Sequence, residues 1–324
     1  MKKAMLETGI ILKEFKKGKI RDIYDLDDRL LIITTDRVSA FDVVMRQGIP
    51  DKGIVLNQLS DFWFRFIEEK GIIKNHLIST ELPRRIIGVV FYDGKPFRIC
   101  QEIGQKQKEN LAQRIMIVKK TKVIPVEFIV RGYLAGSAWE KHKRGDWWLK
   151  KVRPNLKEGE RLPFLLIQHT TKAEIGHDKD LDLRELYQVL ERYFGTKEYI
   201  ASRAETIMGK SFEIYKVASE YAEARGIIIA DTKFEFGIDI EGNLLLVDEL
   251  LTPDSSRFWL KEKWQPGKQQ EGYDKQPLRD WLESTGWDKN PPPPDLPEEI
   301  IKLLAERYQE IRDRLILKTK KAEA

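Results

Sequence analysis

Residues 229–237 read IADTKFEFG, and their strict alternation predicts a strand on which Asp231, Lys233 and Glu235 share one face while apolar bulk takes the other. After Gly237 come Ile238-Asp239-Ile240, then Glu241-Gly242, then Asn243 and the apolar run 244–247, the pattern of a hairpin with a two-residue turn. In that register Glu235 stands opposite Asp248, and the period of two carries both carboxylates to the face that holds Asp231 and Lys233. Two opposed carboxylates repel unless a cation lies between them. Hard oxygen ligands with no cysteine or histidine beside them suit Mg²⁺, which takes one or two carboxylates and fills its other positions with water and nucleotide phosphates. Glu235 and Asp248 are therefore expected to be metal ligands. Taken alone, a strand of alternating charges is more often a solvated sheet face, so other segments have to decide.

Gly18-Lys19-Ile20-Arg21 sets a glycine beside two cations at alternate positions, able to fold over phosphates as glycine-rich hairpin loops do. Residues 125–137, PVEFIVRGYLAGS, end an apolar strand in a glycine-containing turn that carries Arg131 and Ser137. The planar guanidinium is suited to carboxylate or phosphate, and the segment fits an anionic substrate.

Other chemistries lose their support. AETIMGKS, residues 204–211, nearly matches a phosphate loop, but Ala204 stands where the first glycine belongs and the segment reads as helix interior. No G-x-G-x-x-G and no G-x-S-x-G occurs. His76, His142, His169 and His177 lack the spacing of a zinc hydrolase, and Cys100, the only cysteine, rules out an intrachain disulfide. A net charge of +5 from 57 basic and 52 acidic residues is too dilute for a nucleic-acid footprint, although some of the surplus lies in the tail at Lys318, Lys320 and Lys321. The tandem Trp147-Trp148 reads as a packed loop anchor rather than a base-stacking platform. Apolar runs are strand-sized and Met1-Lys2-Lys3 leads into no sustained apolar segment, so a cytoplasmic protein without a membrane span or export signal is expected.

The elements that must position these residues follow from periodicity. Residues 20–26 and 30–35 flank a tight turn at 27–29 and predict an N-terminal hairpin. Leu56, Leu59, Trp63, Phe66 and Ile67 predict a helix over 55–70; residues 97–100 and 114–119 predict strands. Helical periodicity returns over 180–194 and 198–225, with Gly226 as the stop. Pro291 to Pro294 predict a stiff connector, and Pro297-Glu298-Glu299 opens a final helix. The polar break 119–122 divides the chain into domains 1–118 and 119–324.

Together VIPVEFIVRGYLAGSAW, IIIADTKFEFG, VDELLTPDSSRFW and TTDRVSAFDVV resemble the SAICAR synthetases, the phosphoribosylaminoimidazole-succinocarboxamide synthase family of purine biosynthesis. The likeness runs from Gly18 into EGYDKQPLRDWLESTGWDKNPPPPDLPEE. It implies a ligase that joins the carboxylate of carboxyaminoimidazole ribonucleotide (CAIR) to the amine of L-aspartate, with ATP going to ADP and phosphate and Mg²⁺ as cofactor. It also implies an α+β fold in two lobes, with a kinase-like or ATP-grasp-like nucleotide cleft between an N-terminal antiparallel-sheet lobe and a larger C-terminal α+β lobe. A carboxylate is a poor electrophile, and phosphorylating it supplies a leaving group, so no protein nucleophile is needed.

By the same resemblance Gly18, Lys19 and Arg21 fall in the ATP-phosphate loop, with Arg21 where some relatives carry lysine, and Val118, Lys119 and Val123 lie at the interlobe strand where adenine packs. Glu235 and Asp248 match the family's Mg²⁺ carboxylates, Asp231 and Lys233 complete the catalytic face, and Arg131, Ser137 and Arg257 hold the imidazole ribonucleotide. Ser39 and Asp42 lie in a loop near the substrates whose role is left open. The chain departs from its relatives at residues 165–172, LLIQHTTK, where many read something like PIFTPTTK; Lys172-Ala173-Glu174 is retained, and Lys172 is expected to contact phosphate. A small-molecule kinase with the same MgATP apparatus is the alternative, separated by aspartate dependence. A noncatalytic nucleotide- or RNA-binding protein is the third class, opposed by the paired carboxylates. Oligomeric state and the aspartate-binding residues stay open.

Overall fold

The structure, a computed structural model, describes residues 2–317 apart from residues 11, 13, 93–94, 147 and 173–178. The expectations for Trp147, Ala173, Glu174, His177 and the lysines of the tail fall outside them.

The N-terminal portion comprises β1 (Glu14–Lys17), β2 (Arg21–Asp25), β3 (Arg29–Thr34), β4 (Arg37–Ala40), β5 (Val43–Gly48), α1 (Lys52–Glu69), β6 (Leu77–Ser79), β7 (Arg85–Tyr92), β8 (Lys95–Glu102), α2 (Gln105–Leu111) and β9 (Ile115–Lys119). Five of these strands form an antiparallel sheet in the order β1-β2-β3-β9-β6, and β4-β5 and β7-β8 are separate hairpins. The predicted first hairpin is β2-β3, and the predicted helix over 55–70 begins three residues early in α1.

The chain then changes sheets between Lys119 and Lys122, at the polar break. β10 (Lys122–Val123), β11 (Val126–Tyr133), α3 (Gly136–Arg144), α4 (Trp148–Val152), β12 (Arg161–Thr171), β13 (Asp180–Leu181), α5 (Leu183–Phe194), α6 (Ile200–Glu223), β14 (Ile227–Ile238), β15 (Leu244–Val247), β16 (Ser256–Leu260), α7 (Gln276–Ser284) and α8 (Glu298–Arg312) complete it. The second sheet runs β10-β14-β11-β12-β13, with β15 and β16 pairing different stretches of β14. Helices are interspersed with the strands, but every pair of these strands is antiparallel rather than joined by parallel crossovers, which makes the fold α+β. The false phosphate loop at 204–211 lies inside α6, as its periodicity requires.

β14 explains the opening segment. A bulge between Ile229 and Asp231, where the partner strand advances only from Phe258 to Arg257, adds one residue and reverses the parity of the strand. Ile227 and Ile229 face the main core before it, Phe234 and Phe236 face the same core after it, and Asp231, Lys233 and Glu235 are left on the opposite face. Neighbouring β11 follows the same alternation, sending Val126, Phe128 and Val130 into the core and Glu127, Ile129 and Arg131 toward the charged face. The fully buried rings of Trp63, Phe64, Phe128, Phe234, Phe236 and Phe258 make that core continuous from α1 to the second sheet.

Candidate active site

A cavity of about 1150 Å³ is lined by the β1-β2 turn, the β4-β5 turn, the charged face of β11 and β14, and the loop between β15 and β16. Gly18, Lys19, Arg21, Ser39, Asp42, Arg131, Ser137, Lys172, Asp231, Lys233, Glu235, Asp248 and Arg257 all border it. Val118, Lys119 and Val123 do not. Val118 is buried in the core, the Lys119 backbone N–H donates to the His76 carbonyl (2.8 Å), and Val123 is exposed beside Gly237. These three occupy the segment joining the two sheets.

The expected β14-β15 register is wrong by one residue. Glu235 pairs with Val247, because the loop holds three residues, Ile240-Glu241-Gly242, with Gly242 in the left-handed region at φ +85°. The Asp239 carboxylate organises it, Oδ1 accepting from the backbone N–H of Glu241 (3.0 Å) and Asn243 (2.8 Å). In the true register a continued strand would send Asp248 to the core face. Instead the strand ends at Val247, and Asp248 turns with φ +72°, which returns its carboxylate to the cavity. The two carboxylates share the cavity through loop geometry, not strand alternation.

Each is held by a cation. Arg21 Nη2 donates to Asp248 Oδ2 (2.8 Å) and lies 3.5 Å from Glu249, and Lys172 Nζ donates to Glu235 Oε2. Glu235 is only 4% exposed at its side chain; burial, reinforced by the charge of Asp248, pushes its carboxyl up to about 7 against the pull of Lys172 and Lys233. Asp248 goes the other way: its burial would raise it, but Arg21 and Lys172 hold it well below the usual carboxylate range. An all-oxygen pair with one member short of positive charge fits a hard divalent cation. Among the described residues no group of three or more His, Cys, Asp and Glu gathers into a metal cage, so such an ion would fill its other positions from water or a substrate.

Lys233 donates to Glu127 Oε1 (2.6 Å), and Thr170 Oγ1 to Glu127 Oε2 (3.4 Å). Burial opposes the charges of both lysines, yet Glu127 and Glu235 raise Lys233 above its ordinary value, and Asp248 and Glu235 raise Lys172. Both remain ammonium groups at neutral pH. Deeper in, Asp231 Oδ2 accepts from Arg131 Nη1 and from Arg257 Nη1, and Arg131 Nη2 also donates to Ser137 Oγ (3.1 Å) and Gln168 Oε1 (3.2 Å). A Cβ on Gly136, whose φ is +55°, would collide with the Arg257 guanidinium, so glycine there makes room for the second arginine. At the mouth, Lys19 pairs with Asp42, which stands with Phe41 in left-handed backbone at the β4-β5 turn.

Sequence reasoning missed Glu127, Gln168, Glu249, Asp254, Asp274, Lys275 and Arg279, of which all but Gln168 line the cavity. Glu127 was legible: it lies at i−4 from Arg131 on an alternating strand, the rule already applied to β14. Gln168, within the atypical 165–172 segment, is the Arg131 partner that this departure supplies. The other residues sit in loops or at the start of α7, where no period marks them.

The geometry has counterparts. The SAICAR synthetase family model matches residues 14–294. The phosphoribosylaminoimidazole-succinocarboxamide synthase of Geotalea uraniireducens is 46% identical over 314 residues, spanning 96% of this chain and 97% of its own. Among solved structures, the Saccharomyces cerevisiae SAICAR synthase complexed with SAICAR superposes with a TM-score of 0.74 at 35% identity, covering 97% of each chain. A type-2 SAICAR synthetase in complex with ADP aligns with a TM-score of 0.61 at 25% identity, over 93% of this chain and 97% of the other. With the family model matched across its sheets and cavity, and such identity along nearly its whole length, the chain belongs to the SAICAR synthetase family.

Proposed function

We infer that this cavity joins the carboxylate of CAIR to the amine of L-aspartate in the ATP-dependent ligase step of purine biosynthesis. The observation that carries the reading is the Glu235–Asp248 pair, one member pushed toward neutrality, in a cavity otherwise rich in cations. Two carboxylates sharing a cavity with lysines and arginines suit MgATP and an anionic acceptor, and no nucleophilic Ser, Cys or His is required.

In this reading residues 1–118 form the ATP-binding lobe and residues 119–324 the catalytic and substrate lobe, with a nucleotide cleft between them. Gly18, Lys19 and Arg21 close over the phosphates, and Val118, Lys119 and Val123 border the adenine from the intersheet segment. Glu235 and Asp248 would hold Mg²⁺, which, when bound, neutralises phosphate charge. Lys172 and Lys233, both kept protonated by acidic neighbours, attract the phosphoryl oxygens rather than acting as bases. Arg131, Ser137 and Arg257 grip the ribonucleotide, with Asp231 fixing both guanidiniums. Ser39 and Asp42 border the same space at the mouth.

The γ-phosphoryl group passes to a carboxylate oxygen of CAIR, giving ADP and an acyl phosphate. The aspartate amine then attacks that acyl carbon, the C–N bond forms as the C–O bond to phosphate breaks, inorganic phosphate leaves with the oxygen it acquired, and the amine's surplus proton passes to solvent. The test is ADP release and amide formation with MgATP and CAIR, with and without L-aspartate. Amide only with all three substrates is the expected result. ADP released equally without aspartate, with no amide, would make this a kinase site.

A further inference from the structure

The loop between β15 and β16 carries Asp248 and Asp254 into the cavity and leads into Arg257 of β16, yet its backbone is unfavourable by itself. Asp248 and Leu251 are non-glycine residues in the left-handed region, at φ +72° and +51°. Such conformations persist where surroundings over-determine them. The surroundings here come from both ends of the chain. Ser60 of α1 accepts from the Leu250 backbone N–H (3.3 Å), Lys52 of α1 donates to Asp254 Oδ2 (2.7 Å), and Tyr308 of α8 donates through its hydroxyl to Asp254 Oδ1 (2.7 Å). Lys52 and Tyr308 are 0% and 1% exposed, and neither lines the cavity.

A fully buried lysine is rare unless it is paired, and Asp254 is the partner of Lys52. A second lysine gives that pairing a consequence: Lys275, on the cavity wall, stands 3.7 Å from the same Asp254 carboxylate, beyond the contact that Lys52 makes. Each Asp254 oxygen thus takes one short contact from the side away from the cavity, Oδ2 from ammonium and Oδ1 from phenol. Lys275 makes only the longer contact with Oδ2 and lines the same cavity as Arg257.

We propose that Lys52 and Tyr308 are positioning residues for the ribonucleotide site: they hold Asp254 from the side away from the cavity, fix the loop that leads into Arg257 of β16, and keep Asp254 from closing on Lys275, whose charge stays available to an anionic substrate. The inference rests on the ligase reading above. Without the Tyr308 hydroxyl, Asp254 Oδ1 turns to Lys275 and pairs its charge at the cavity wall, away from the substrate. Without Lys52, the carboxylate takes Lys275 as its only close ammonium.

Wild type and the Tyr308→Phe and Lys52→Met variants are compared in full steady-state kinetics, with thermal melts and calorimetric binding of CAIR alone. Tyr308→Phe deletes one oxygen from a ring that otherwise stays packed, so it reports even where Lys52→Met fails to fold. Its KM and Kd for CAIR should rise by about threefold to tenfold, with kcat and the KM for ATP little changed. In a folded Lys52→Met the same two quantities should rise by at least about thirtyfold. Unchanged CAIR affinity in Tyr308→Phe with a lowered melting temperature, or equal rises in all three KM values, would overturn the proposal. A wild type that makes no amide would instead overturn the ligase reading, a result visible before any variant is scored.

Discussion

Asp231 lies between two guanidiniums, which gives its replacement a distinctive cost. The side chains of Arg131, Asp231 and Arg257 are 3%, 6% and 20% exposed. Asp231→Asn is nearly isosteric, so packing survives, but it leaves two arginines facing one another with their shared counter-charge gone. Breaking a buried pair from one side costs about 3–5 kcal/mol, and the upper part of that range applies when two charges are stranded. Arg257→Met, by contrast, leaves Asp231 its more buried partner Arg131 and removes a guanidinium that still reaches solvent, a loss of about 1 kcal/mol. At about 2.1 cal/mol/K of unfolding entropy per residue, the 324-residue chain changes stability by about 0.7 kcal/mol per degree near its midpoint. Asp231→Asn should thus melt about 6 °C below wild type and Arg257→Met about 1–2 °C below it. Calorimetry at fixed ionic strength measures both. Millimolar phosphate should recover part of the Asp231→Asn loss, because an anion can replace the missing charge between the arginines, and should do little for Arg257→Met. An Asp231→Asn melting temperature at or above that of Arg257→Met would refute the reasoning.

Glu235→Gln should keep its fold, since the amide fits the same space, but raise the Mg²⁺ concentration for half-maximal turnover by at least about tenfold; an unchanged Mg²⁺ titration would remove Glu235 as a ligand. Lys172→Ala should lower kcat by about a hundredfold with a smaller effect on CAIR binding, and undiminished turnover would release Lys172 from the phosphoryl site. His169 is buried beside Phe128, and burial lowers its imidazole below the ordinary value. The unfolded chain therefore takes up a proton at about pH 6.5 that the folded protein refuses, and stability falls as pH drops through and below that value. Urea midpoints between pH 7.5 and 5 should show a shallower decline for His169→Phe than for wild type; parallel curves would mean that other groups set the acid sensitivity.

Local periodicity was enough to put Asp231, Lys233 and Glu235 on one face, to place α1, α5, α6 and α8 within a few residues, and to read 204–211 as helix. Those are consequences of side-chain period and turn chemistry, which neighbouring residues impose whatever the rest of the chain does. The motifs likewise carried the family without coordinates. What the sequence could not determine was how the two carboxylates meet. One additional loop residue moved the β14-β15 register, and a left-handed Asp248 undid the consequence, a backbone state stable only because other elements pack around its loop. The bulge at Ala230 is of the same kind, since it exists to reconcile the pairing of β14 with β16 while one core is filled from both halves of the strand. The buried Lys52–Asp254–Tyr308 contacts join residues 202 and 54 positions apart, and no periodic signal relates them. Separations of that length carry no pattern along the chain, so tertiary packing alone decided that α1 and α8 would meet behind the cavity wall.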